Sequence, residues 1–191
     1  MKKYCLNQPE TLKEFEYAYS PICKEHLPFV QQNDSVANYK EETPEDFAYV
    51  SVLCKEKCAV GAKVSLQCSF GKFGAPLLVF SNDLATNEDG SKLYGLHFEV
   101  VAYENGCNIW HITPDPTNTV RPIKTKKIAF AEFTIEENEK IDIEVKFEKG
   151  KIVSKVNGHE LVCENEDFPE EFYVGFTGCE GPNEFYEMKI E

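Results

Sequence analysis

The sequence predicts an all-β fold, two antiparallel sheets packed face to face as a sandwich or barrel. Apolar and polar residues alternate with period two through most of the chain. Turn-forming residues interrupt that alternation at short intervals, and no stretch longer than about ten residues has helical periodicity. With 191 residues, 42% of them hydrophobic and 13% aromatic, the chain can fill a sizeable core, so a single domain over residues 1–191 is expected.

Residues 1–14 read as an irregular N-terminal segment, followed by an early strand in FEYAYSPI and a loop in KEETPED, residues 40–46. The runs FAYVSVLC and AKVSLQCSF then alternate cleanly, Ala62, Val64, Leu66, Cys68 and Phe70 sharing one face. Only the polar turn KEKCAVG separates them, which predicts an antiparallel pair. APLLVFS is more continuously apolar, as suits a buried strand, and the polar loop NDLATNEDGSK leads from it into the stretch YGLHFEVVAYENGCNIWHI, residues 94–112. A Pro-rich connection, TPDPTNTVRP, precedes KKIAFAEFTI, a second hairpin turning at Lys149-Gly150, and two closing strands in EFYVGFTG and EFYEMKI. The total is about twelve short strands, which is the pattern of a sandwich or barrel.

The stretch 94–112 holds the lone tryptophan and two of the four histidines. Asn105-Gly106 is a type I′ hairpin signal and sets a register in which Tyr103 opposes Asn108, Val101 opposes Trp110 and Glu99 opposes Ile112. Leu96, Phe98, Val100, Ala102 and Ile109 then lie on one face, and His111 falls with them as a buried histidine. His97, Glu99, Tyr103, Asn108 and Trp110 lie on the other. A face that mixes an indole, a phenol, an imidazole, a carboxylate and an amide suits a sugar, whose C–H surface stacks on rings while its hydroxyls need fixed partners. The alternative is that the N-terminal segment covers Trp110. Arg121, the only arginine, follows the Pro-rich loop and either reaches over a groove edge or holds a surface ion pair.

The order of elements from about residue 47 resembles the concanavalin A-like lectin and glucanase superfamily. The residues that carry the likeness are FTIEENEKIDIEVKFEKGKIVSKVNGHEL, an Ile/Val-rich strand crossing a hairpin into a strand that ends in Asn-Gly, and FYVGFTGCEGPNEFYEMKI, a Gly-containing strand before an aromatic-rich last one. The likeness extends to residue 15 if that early strand pairs with the last. It implies a two-sheet jelly-roll sandwich whose curved front sheet carries a concave glycan groove. It implies no activity by itself.

Laminarinase-type enzymes of that superfamily place three carboxylates at i, i+2 and i+4 of one strand. In KIDIE (140–144) Asp142 and Glu144 match the second and third, but Lys140 stands at the first, the nucleophile position. The alternating charges Lys140, Asp142, Glu144, Lys146 and Glu148 read instead as a solvated face, with Glu144 opposite Lys155 as an ion pair.

The formal charge of −13 argues against nucleic acid and against an anionic membrane surface, and leaves an oligosaccharide or glycoside as the partner. No segment approaches the roughly 18 apolar residues of a membrane span. MKKYCLNQPETLKEF lacks the apolar run of an export signal, so a cytoplasmic location and eight free thiols are expected. CKEKC (54–58) lacks zinc-ligand spacing, and ATNEDGSKLYGL lacks both end ligands of an EF-hand. No cofactor or metal ligand is expected, with calcium held by Asp83, Asp89 and carbonyls as the alternative. The sequence thus points to a lectin-like carbohydrate-binding module. A glycan-processing enzyme using His97 and Glu99 as acid and base, and a protein–protein scaffold, are the alternatives.

Overall fold

The structure, a computed structural model, describes residues 1–23, 26–38, 49–88 and 90–191. The strands in chain order are β1 (Lys2–Cys5), β2 (Phe15–Tyr19), β3 (Val30–Gln31), β4 (Val36–Asn38), β5 (Tyr49–Cys54), β6 (Cys58–Ala59), β7 (Lys63–Phe70), β8 (Gly74–Ser81) and β9 (Leu84–Thr86). They continue as β10 (Lys92–Tyr94), β11 (His97–Tyr103), β12 (Gly106–Pro114), β13 (Ile123–Glu132), β14 (Ile141–Glu148), β15 (Lys151–Val156), β16 (His159–Glu164), β17 (Glu171–Glu180) and β18 (Asn183–Ile190). A 3-10 helix at Pro9–Glu14 is the only helix among the described residues, and none is long and apolar enough to cross a membrane. The expected all-β sandwich is present, with more and shorter strands than the sequence predicts. The loop expected at 40–46 lies outside the described residues.

The smaller sheet runs β16-β15-β14-β7-β18-β4-β3, with β1 also on β18; the larger runs β13-β12-β11-β8-β17-β5-β2-β10-β9, with β6 on β17. Residues 1–14 are therefore not irregular: β1 pairs with β18, Lys2 opposite Ile190, and buries Tyr4. The early strand at Phe15 does not reach the last strand but pairs with β5 in the larger sheet. The expected pairing of FAYVSVLC with AKVSLQCSF also fails, since β5 pairs with β17 and β2 while β7 pairs with β14 and β18. The turn between them crosses from one sheet to the other. A short turn is compatible with either arrangement, so its length does not decide.

Alternating side chains of both sheets meet in the core. Val64, Leu66, Cys68 and Phe70 of β7 and Ile141, Ile143, Val145 and Phe147 of β14 are buried there. Rings lock the centre, Phe80 meeting Phe147 edge-on at 4.9 Å between centroids and Phe147 lying 4.2 Å from Phe172. The middle strand β8 is buried on both faces: Leu78 and Phe80 enter the core, while Leu77 and Val79 join a second apolar cluster on the far side of the larger sheet. That explains the unbroken apolar run in its sequence.

The β14–β15 hairpin has the expected register, Glu144 opposite Lys155 across a turn at Lys149 and Gly150. The ion pairs differ from expectation. Glu144 pairs with Lys63 of β7 at 2.7 Å, and Lys155 with Glu160 of β16 at 3.2 Å. Each charge sits between two neighbouring strands and takes its partner from the one outside the hairpin.

Gly175 lies where β17 crosses Val52 of β5, and a Cβ there would stand 1.8 Å from the Val52 carbonyl oxygen. Gly175→Ala should therefore lower the unfolding free energy by at least the upper part of the ~1–3 kcal/mol typical of overpacking, read as a lower urea midpoint. An unchanged midpoint would show that the strands can separate at no cost.

Candidate functional site

The candidate site is the concave far side of the larger sheet, where β11 and β12 present the residues singled out by parity. Asn105-Gly106 does not form the expected type I′ turn. Glu104 and Asn105 occupy the turn, and of Asn105 and Gly106 only Gly106 has a positive φ, +132°. The Glu104 and Asn105 carbonyls accept from Ile135 and Phe133, at 3.0 and 3.3 Å, and β13 runs so close that a Cβ on Gly106 would meet the Ala131 carbonyl oxygen at 2.1 Å. These contacts to β13 and to the segment that follows it outweigh the local turn preference. Glu99 consequently opposes Trp110, and Val101 opposes Asn108. Each partner is displaced by two residues from expectation, a shift that leaves every side chain on its expected face.

Half of this concave face is filled. Ala18, Leu53, Leu77, Val79 and Tyr94 pack over it, and Ser51 hydrogen-bonds both the Tyr94 hydroxyl at 2.7 Å and Thr177 at 2.6 Å. His97 belongs to this filled half and does not line the cleft, which corrects its place in the expected set. It is 0% exposed; its Nδ1 donates to the Gly95 carbonyl at 2.8 Å, and its Nε2, 3.6 Å from Glu99 Oε1, has no hydrogen-bond partner among the described residues.

The other half is a cleft of about 310 Å³ lined by Glu99, Tyr103, Asn108 and Trp110, four of the five expected residues. Trp110 is half-buried, and Ser20 and Ile22 of the N-terminal segment line the same cleft. Glu99, 7% exposed, accepts a hydrogen bond from the Tyr49 hydroxyl at 2.7 Å. Burial first, and the nearby Glu99 carboxylate next, push the Tyr49 phenol well above its ordinary pKa, so it stays a donor. The Cys179 thiol is raised by the same two causes, and burial lifts Cys23 to about 11. Asn108 is 7% exposed, and its Oδ1 is buried without a hydrogen-bond partner among the described residues.

A β-bulge on β13 shapes the rim. Ile109 opposes Ala129 but Trp110 opposes Lys127, so Ile128 is an extra residue and Lys127 turns to the concave side. Its ammonium lies 5.4 Å from the Trp110 ring centroid and 5.7 Å from that of Phe130. Arg121 lines the cleft and makes no ion pair among the described residues, so it is the groove-edge alternative that is found. Tyr49 and Glu180 were missed by the sequence reading. They arrive from β5 and from the end of β17, and nothing local to either strand marks them as neighbours of Trp110.

The remaining candidates lie elsewhere. His111 stacks on Phe98 at 4.7 Å on the core side, with Nε2 3.5 Å from Asp167; burial lowers its pKa, partly opposed by that carboxylate. Its Nε2 has no hydrogen-bond partner among the described residues. Asp142 and Glu144 are on the smaller sheet, facing away from its core. Asp83 accepts from the Leu96 backbone at 3.1 Å, and Asp89 lies outside the described residues. No group of three His, Cys, Asp or Glu among the described residues is placed to hold a metal. All eight cysteines are free.

No protein-family model matches this sequence, and no curated protein does. Solved structures do match over nearly the whole chain. A galectin-like-fold protein from Bacillus subtilis is 10% identical, with a TM-score of 0.67 over 100% of this chain and 94% of that one. A carbohydrate-binding module from Bacillus subtilis is 9% identical, with a TM-score of 0.64 over 93% and 95%. A legume lectin-like domain from Entamoeba histolytica is 11% identical, with a TM-score of 0.60 over 100% and 96%. At such identities the likeness is one of fold: the chain is a two-sheet jelly-roll β-sandwich similar in architecture to these concanavalin A-like structures.

Proposed function

We propose that this protein is a lectin-like carbohydrate-binding module and that the concave cleft takes a short stretch of oligosaccharide. One juxtaposition carries the reading: the half-buried Trp110 ring beside the buried Asn108 Oδ1, which has no hydrogen-bond partner among the described residues. A buried acceptor without a partner costs about 1–3 kcal/mol, which a ligand hydroxyl would recover. A sugar supplies that hydroxyl together with a C–H face for the indole. Glu99, fixed by Tyr49, offers a second acceptor, and Tyr103 a further ring. The volume of about 310 Å³ lies at the lower end of the ~300–1,000 Å³ usual for small-molecule sites, in keeping with a short ligand. Catalysis by His97 and Glu99 gains no support, because His97 lies wholly buried in the filled half of the face.

Sugar binding should change Trp110 fluorescence, and a panel of oligosaccharides that leaves it unmoved would count against the proposal. Trp110→Ala should weaken binding at least tenfold, about 1.4 kcal/mol, in calorimetric titration, while the folded fraction stays unchanged by circular dichroism. Tyr49→Phe should weaken binding severalfold by releasing Glu99 and should lower stability by about 1 kcal/mol. Aryl glycosides should be bound without turnover; turnover that disappears in Glu99→Gln would make the protein a hydrolase instead.

A further inference from the structure

We infer that the glycan taken by the cleft carries a carboxylate, and that Arg121 recognises it. The inference rests on the carbohydrate reading and specifies the class of sugar. Arg121 stands on a connection that is tied together internally. The Asn118 side-chain oxygen accepts from the backbone of both Val120 and Arg121, at 3.1 and 2.9 Å. Asp115 accepts from the Thr117 hydroxyl at 2.5 Å and pairs with Lys124 at 3.4 Å, and its own N–H donates to the Pro122 carbonyl at 2.8 Å. The connection holds the chain's only arginine at the cleft, yet its guanidinium has no ion pair among the described residues. A guanidinium is a planar fork of donors that fits a carboxylate with two parallel hydrogen bonds.

A second cation reinforces it. Lys127, turned to the concave side by the β13 bulge, hangs over Trp110 and likewise lacks an ion pair among the described residues. Arg121 thus lines the cleft, and Lys127 lies over the indole that borders it. The acidic groups of the cleft are Glu99, which is occupied by Tyr49, and Glu180 at the end of β17. The formal charge of −13 does not forbid an anionic ligand: at physiological salt, fields fade over about 8 Å, so the nearest charges decide. A neutral sugar would leave the Arg121 guanidinium without a charged partner among the described residues.

The test is a glycan array in which each carboxylated oligosaccharide is printed beside its methyl-esterified or carboxyl-reduced counterpart. Binding should favour the carboxylated member of at least one pair by tenfold or more. In calorimetric titration with that glycan, Arg121→Gln should abolish the preference and Arg121→Lys should retain part of it, with thermal midpoints unchanged for both. Added salt should weaken the wild-type protein more than Arg121→Gln. Equal binding to both members of every pair would overturn the carboxylate inference and leave the cleft as a sugar site. No binding to any glycan would overturn both.

Discussion

The arrangement depends on one constraint: the middle of the larger sheet is apolar on both faces. Leu78 and Phe80 of β8 need the smaller sheet, and Leu77 and Val79 need cover on the other side. Among the described residues no third layer supplies it. The larger sheet instead brings its own distant strands round, so that Ala18 of β2 and Tyr94 of β10 pack against Leu77, Val79 and Leu53. This self-cover runs out before the β11–β12–β13 end, and the uncovered remainder is the cleft. The site is therefore a by-product of how the sheet conceals its second face, and the strand edges that conceal it also wall the groove.

Much of this was legible in the sequence because a period of two is robust to error. The turn at Asn105-Gly106 is misplaced by the local rule, yet the displacement is by two residues and the faces survive. The same dipeptide does obey the rule at Asn157-Gly158, where φ values of 46° and 82° form the tight turn between β15 and β16. The difference is tertiary: at Gly106 the segment just after β13 takes the turn carbonyls, through Phe133 and Ile135. What could not be read was which strands become neighbours. Consecutive β5 and β7 part into different sheets, and Tyr49 and Glu180 reach the cleft only because the sheet is curved. His97 shares the parity of Glu99, but parity does not tell the filled half of a face from the open half.

The polar residues of this face divide by the same boundary. In the filled half, Ser51, Thr177 and Tyr94 satisfy one another, as buried hydroxyls must. At the boundary, Glu99 is satisfied from the filled side by Tyr49 and presents its remaining surface to the cleft. In the open half, Asn108 keeps an acceptor in reserve. A gradient from complete to incomplete hydrogen bonding across one sheet face separates a structural interior from a receptive surface, with no change of fold between them.

The Arg121 connection adds a different kind of independence. Its hydrogen bonds are formed among Asp115, Thr117, Asn118 and their neighbours, and its ends are joined where Asp115 donates to Pro122, so the sheet contributes little to its shape. Residues at its tip, among them Val120 at 93% exposure, can vary without disturbing a ladder bond or a core contact. Selection could thus retune which ligand is preferred while the Trp110 platform stays fixed. The division resembles that between the handle of a tool and its exchangeable bit.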